Sequence, residues 1–271
     1  MSLITKSNLC LAKSGKNLTE DCLAVNFAIG CTHGCLFCYV QRIDKLWGRA
    51  KGKWGEYLFV KPGLERLIAE TPWRRYAGKE VLMSSIHDPY LPELYYPHRW
   101  PRRILEAGLG AGVRFRILTR SLLVRQDFDL LMRHRERVFL MMSIPTLDVE
   151  LTRLTEPRAP PPLLRFKVLA EAREFGLRVG VVVAPIIPAG DWRKRLEELF
   201  ATLSGLRPAA VYGEMLHARG ENLERLCREV NICVRPGKLL DEEVGSYFER
   251  LLLEHGFHGA YWYEYSRRHG R

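Results

Sequence analysis

Three cysteines, Cys31, Cys35 and Cys38, stand four and three residues apart in one short stretch, with Phe37 just before the last of them and Tyr39 just after it. The apolar run Ala24–Ile29 leads in and Gly30 breaks it. Three thiolates on one loop can each hold one iron of a [4Fe–4S] cube, because soft sulfur ligands suit iron–sulfur clusters. Three ligands for four irons leave one iron open, and a small molecule can bind there and be reduced. Two other chemistries fit the same residues: a zinc knuckle completed by His33 or a distant cysteine, and a buried, inert cysteine cluster. Structural zinc usually takes paired ligands from two ends of a loop, and the chain has no second CxxC or HxxxH.

Chemistry at such a loop needs a scaffold. The chain has 271 residues, 47% of them hydrophobic, enough for one large core. Apolar β-branched runs alternate with longer helical patterns, which predicts parallel βα units. The runs read as strands are 24–30, 81–86, 115–119, 138–143, 179–185 and 209–216. Helical patterns fall at 64–70, 104–109, 128–134, 163–175, 192–203 and 223–230, with Gly176 as a cap after the fourth. Six such units make an α/β fold, a partial (β/α)6 TIM-like barrel. The expected divisions are an N-terminal extension (1–23), the barrel core (24–235) and a C-terminal extension packed on it (236–271), with a helix at 242–255. The segment 42–61, rich in Lys, Arg, Gly and Trp, is an excursion that covers the cysteine loop or touches substrate. Sites in these barrels form at the C-terminal ends of the strands, and the cysteines follow the first strand.

The other strand ends carry polar residues. The second runs into Ser84, Ser85, His87 and then Asp88-Pro89-Tyr90-Leu91-Pro92-Glu93. The third ends in Leu118-Thr119-Arg120-Ser121 and the fourth in Ser143. Glu156-Pro157-Arg158-Ala159-Pro160 and Ala184-Pro185-Ile186-Ile187-Pro188 follow. Together with the cysteine spacing, these elements, from Ala24 to Trp192, resemble the radical S-adenosylmethionine (SAM) superfamily, in its spore photoproduct lyase-like branch. The resemblance implies that Cys31, Cys35 and Cys38 hold a [4Fe–4S] cluster whose open iron chelates SAM. It implies that SAM is split to methionine and a 5′-deoxyadenosyl radical, which takes a hydrogen atom from substrate. Arg120 stands where the lyase has lysine and would meet the SAM carboxylate, a task a guanidinium fork performs well. Ser84, Ser85 and Ser143 would bind SAM, with Asp88 an alternative partner for its ammonium, and Phe37 and Tyr39 would pack near adenine. Plainer roles remain open: strand-end hydroxyls, a turn-forming Asp before Pro, a salt bridge at Arg120. The lyase carries a hydrogen-donating cysteine at its second strand end; the matching stretch, 81–93, has none. Tyr90, Tyr95, Tyr96 and Tyr212 are candidate radical relays, or packing tyrosines with satisfied hydroxyls. Tyr212, Glu214, His217 and Arg219 lie where substrate would be read.

Net charge is +11, a field that favours polyanions. The expected substrate is therefore DNA, RNA or a nucleotide. The alternatives are a peptide or small-metabolite substrate, and a nucleic-acid-binding protein whose cluster is structural or redox-sensing. An electron donor such as ferredoxin or flavodoxin is an expected partner. No signal peptide or membrane span is read, so a cytoplasmic location is expected, and in that setting seven cysteines imply metal or chemistry rather than disulfides. Cys10, Cys22, Cys227 and Cys233 match no compact ferredoxin spacing; they are either buried cysteines or, if the termini meet, ligands of an auxiliary cluster. The aromatics from Tyr261 to Tyr265, mixed with arginines, either close the core as a last strand or stack on unpaired bases.

Overall fold

The computed structural model describes residues 3–6, 23–50 and 52–263. Cys10, Cys22, most of the expected N-terminal extension and residues 264–271 lie outside the described residues. In chain order the elements are β1 (Ile4–Lys6), β2 (Leu23–Val25), β3 (Ala28–Gly30), α1 (Val40–Leu46), β4 (Leu58–Val60), α2 (Leu64–Glu70), β5 (Glu80–Met83), α3 (Pro92–Tyr95) and α4 (Trp100–Gly110). They continue with β6 (Arg114–Thr119), α5 (Phe128–Arg133), β7 (Val138–Ser143), α6 (Val149–Thr155), α7 (Pro162–Glu174), β8 (Arg178–Ile186), α8 (Trp192–Leu206), β9 (Ala210–Met215), α9 (Asn222–Val230), α10 (Lys238–Glu254) and β10 (Gly259–Tyr261).

Among the described residues one eight-stranded sheet forms, in the order β1-β2-β5-β6-β7-β8-β9-β10. All neighbours pair parallel except β1, which lies antiparallel on β2. Each crossover reaches the adjacent strand, so the sheet winds in one sense around a lumen and stays open between its edges. This is the α/β partial barrel the sequence implies, with β1 and β10 added to the six expected strands.

Strand alternation separates two cores. Val25, Val81, Met83, Phe115, Ile117, Val181, Val183 and Val211 point outward beneath the helices and join the main core. Ala24, Leu82, Phe139, Met141, Val182 and Ala210 point into the lumen and form a second, smaller cluster. The central strand β7 is buried at all six positions, as expected for a strand covered on both faces. Helix α10, expected at 242–255, begins at Lys238; Tyr261 of β10 is buried against it and donates to Asp241 at 2.8 Å.

The first expected strand, 24–30, is in fact two. β2 enters the main sheet, and β3 leaves it to pair antiparallel with β4, Ala28 opposite Val60 and Gly30 opposite Leu58. The cause lies between them: Asn26 is drawn sideways to Ser84 and Ser85, so the chain bends there. A second correction concerns the cysteines. Cys227 and Cys233 are joined in a disulfide at the end of α9, which withdraws both from an auxiliary cluster. No helix among the described residues is long and apolar enough to cross a membrane.

Candidate functional site

The strand ends and the cysteine loop enclose a cavity of about 300 Å³. Cys31, Cys35 and Cys38 line it, together with Phe37, Tyr39, Ser84, Ser85, Asp88, Arg120, Ser143, Glu214, His217 and Arg219. Nearly all the residues singled out from the sequence thus meet in one place.

The loop is held by its backbone. Gly30 turns at φ +87°, and a Cβ there would lie 2.2 Å from the Tyr57 carbonyl oxygen, so glycine alone fits the exit from β3. Successive carbonyls then find side-chain donors. Trp54 Nε1 reaches Cys35 O at 3.1 Å, the Arg225 guanidinium reaches Leu36 O, Asn222 Nδ2 reaches Phe37 O at 3.0 Å and Gln41 Nε2 reaches Cys38 O at 3.0 Å. The Leu36 N–H donates to Thr155 O at 2.9 Å. Trp54 comes from the excursion before β4, whose role as a cover for the cysteine loop is thereby seen. Asn222 and Arg225, on α9, escaped sequence reasoning; their signal lies only in the fold, 185 and 189 residues away from their partners.

Burial pushes all three thiols up to about 12. Without a cation they stay neutral, and a soft metal centre would convert them to thiolates. No group of three or more His, Cys, Asp or Glu among the described residues is arranged to hold a single metal ion. His33, one candidate fourth ligand for zinc, turns its Nε2 to Asp88 Oδ2 at 3.3 Å.

Arg120 is fixed by two contacts, Nε to Glu156 Oε1 at 3.1 Å and Nη2 to Ala184 O at 3.0 Å. Its carbon centre sits 5.6 Å from the Phe37 ring centroid. Burial works against its charge, but the Glu156 carboxylate beside it more than offsets this, and its pKa is raised. Glu156 is itself buried between Arg120 and Arg165, and the latter ties back to Ser143 O at 2.9 Å. The Ser143 hydroxyl donates to Ala184 O at 3.2 Å. Tyr39 donates to Ser85 O at 2.7 Å, and Ser85 Oγ accepts from Asn26 at 3.0 Å.

Hydrogen bonds also define the surroundings of the other expected site residues. Both oxygens of Asp88 are committed: Oδ1 accepts from Thr119 Oγ1 (2.7 Å) and the Tyr90 N–H (2.9 Å), and Oδ2 accepts from the Arg120 N–H (2.7 Å). Burial would raise its pKa, but these donors with His33 hold it down to about 2. Asp88 therefore locks the β5 and β6 strand ends together at the wall of the cavity. Ser84, at φ +65°, turns its hydroxyl to His87, 2.9 Å from Nδ1, and shapes the turn. Burial lowers His87 to about 3, so it stays neutral. Tyr90 is fully buried outside the cavity, donating to Asp127 at 3.1 Å. Tyr96, just past the end of α3, is 69% exposed. Neither lines the cavity, and a radical relay through them has no geometric support. Tyr212 lies in the lumen cluster, stacked on Trp262, below the residues that line the cavity. The cavity does include Trp262.

A family model described as the radical SAM superfamily matches residues 25–202. The chain belongs to the radical SAM superfamily. Radical SAM enzymes use a [4Fe–4S] cluster and SAM, and the buried thiol triad suits that cluster. An uncharacterised protein of Acidianus two-tailed virus is 45% identical, the match covering 97% of this chain and 90% of that one. An uncharacterised protein of Mycobacterium tuberculosis is 27% identical over 78% of this chain and 65% of the relative. Among solved structures the radical SAM fold seen here is similar to spore photoproduct lyase, with a TM-score of 0.69 at 18% identity over 93% of this chain and 78% of that one. One structure of that lyase carries bound AdoMet and a dinucleoside spore photoproduct. Streptococcus suis SuiB bound to precursor peptide SuiA is also similar, with a TM-score of 0.58 at 13% identity over 86% of this chain and 46% of SuiB.

Proposed function

We propose that this radical SAM enzyme modifies or repairs a base in nucleic acid, with Cys31, Cys35 and Cys38 as the cluster ligands. The observation that carries the site assignment is the convergence of three buried thiols, Arg120 and Ser143 on one cavity at the strand ends. When bound, the cluster and SAM supply an electron and a 5′-deoxyadenosyl radical able to take a hydrogen atom from substrate.

The chain's own residues do the positioning. Arg120, anchored through Nε and Nη2, would hold the SAM carboxylate with its remaining nitrogen, and its rigid tether means little freedom would be lost on binding. The Ser143 hydroxyl, donating to Ala184 O, would accept from the SAM amine. Phe37 and Tyr39 would pack near the adenine, and Ser85 keeps Tyr39 in place. Leu82, Leu118 and Val182 floor the cavity, and an apolar floor keeps water from a reactive radical. In the second-strand turn Ser84 and Ser85 stand where the lyase donor cysteine would be, and a hydroxyl O–H bond is too strong to return a hydrogen atom readily. The product therefore takes its hydrogen by a route other than the lyase thiol.

The nucleic-acid assignment is supported by the net charge of +11 and by the fold likeness to a lyase crystallised with a dinucleoside. A duplex base would have to be flipped to enter such a mouth. Two experiments test the proposal. Anaerobic reduction with dithionite and SAM should yield 5′-deoxyadenosine, and Cys35→Ala should abolish both the iron–sulfur content and that product; full iron and sulfide in Cys35→Ala would refute the ligand assignment. DNA, RNA and peptide binding are then compared over a salt series. Polyanion affinity should fall steeply with salt, whereas salt-insensitive binding of peptide alone would move the substrate to that class.

A further inference from the structure

Phe37, Tyr39, Arg120 and Ser143 are engaged by the SAM proposal; Trp262 is not. It follows β10 at the edge of the sheet, and its backbone N–H donates to Gly213 O at 2.8 Å, which continues the pairing of β10 with β9. The indole turns inward, into the lumen cluster that Ala24, Leu82, Phe139, Met141, Val182 and Ala210 form. There it stacks on Tyr212 with ring centroids 5.3 Å apart and planes 15° from parallel. Tyr212 is held in turn by Arg116 at 3.5 Å, itself paired with Glu80. The indole is half-buried and forms part of the cavity lining. Glu214 stands two residues beyond Tyr212, on the same face of β9 by strand alternation, and lines the cavity too.

A planar, apolar surface held rigid by a second ring beneath it, beside a carboxylate, has the properties of a base-stacking platform. A plug that merely closed the open side of the barrel would not need a stacked partner under it, nor access to the cavity.

We infer that Trp262 is the residue on which the target nucleobase stacks inside the barrel, Tyr212 being the positioning residue beneath it. This rests on the nucleic-acid proposal above and narrows it: the group bound in the lumen is a planar ring, and its recognition begins with stacking rather than with the sugar–phosphate chain.

The test uses reconstituted full-length protein under anaerobic conditions and two single strands of about eight nucleotides, one intact and one abasic at its centre. Wild type should prefer the intact strand by about 5- to 150-fold, the range expected for stacking one base. Trp262→Leu should bind both strands about equally, and Trp262→Phe should restore most of the preference. Phe175→Leu, which alters an exposed aromatic on the outer helix layer, should behave as wild type. Iron and sulfide contents establish that each variant is loaded. If Trp262→Leu keeps the full preference for the intact strand, the stacking assignment is overturned while nucleic-acid binding stands. If wild type binds neither strand with a salt-dependent affinity, the nucleic-acid proposal falls and this inference falls with it.

Discussion

Glu156 offers the sharpest test of how the site is built. Its carboxylate is completely enclosed, with Arg120 on one oxygen at 3.1 Å and Arg165 on the other. Arg165 is also wholly buried and donates to Pro160 O at 2.7 Å and Ser143 O at 2.9 Å. Burial pushes the Glu156 carboxyl up, but the two guanidiniums more than offset it and hold it below the usual range, so it is charged at neutral pH. Glu156→Gln keeps the volume and removes the charge. Two buried cations are then left facing each other across a neutral amide. Breaking a buried pair from one side costs about 3–5 kcal/mol. For a domain of this size, each kcal/mol is worth about 2–4 °C, so the midpoint should fall by about 6–20 °C.

The assay is thermal unfolding of the reduced, metal-free protein followed by circular dichroism, paired with the KM for SAM of the reconstituted enzyme. Arg120 loses the contact that aims it, so KM should rise as well. Arg165→Met combined with Glu156→Gln separates charge from packing. Removing both members should recover part of the loss, because one unpaired buried cation is then gone, with a coupling of about 0.5–3 kcal/mol. A midpoint within about 2 °C of wild type for Glu156→Gln would show that water reaches the pair, and the argument for a rigid, charge-locked Arg120 would fail.

Two other sites give independent outcomes. Asn222 makes three hydrogen bonds, to Phe37 O, His217 O and the Arg219 N–H; at about 1 kcal/mol each, Asn222→Ala should loosen the cysteine loop and speed iron loss to a chelator, and an unchanged rate would show that the loop holds itself. For Asp88, the folded value of about 2 lies below the ordinary 3.8, which corresponds to about 2 kcal/mol of stability. A depressed carboxyl stabilises above its unfolded value and loses that contribution as pH falls through its folded value. Metal-free Asp88→Asn should therefore be less stable than wild type in urea at neutral pH, and the gap should close as pH drops from about 3.8 towards about 2; a gap independent of pH would refute the charge account.

What the chain discloses of its fold divides by the range of the interactions that decide it. The bounds of β7 and α2 are those the residue pattern predicts, because a run buried on both faces and a helix with one apolar stripe leave local signatures. The run 24–30 has no such punctuation. Its division into β2 and β3 is made by Ser84 and Ser85, 59 residues on from Asn26 in the case of Ser85, and by β4, in a segment that reads only as an excursion. The same rule sorts the site. Cysteine spacing is legible since the geometry of a metal–sulfur cube must be met by one short loop. What Asp88 and Tyr90 bond to depends on which donors and acceptors the folded chain brings to them, and Thr119, the Arg120 amide and Asp127 arrive from other strands and turns. Asn222 and Arg225 are the extreme case: they serve the cysteines through backbone carbonyls, which carry no side-chain identity for a sequence pattern to match. A search for ligands by residue type will therefore find what holds a cluster, while what holds the loop that holds it becomes visible only as hydrogen bonds.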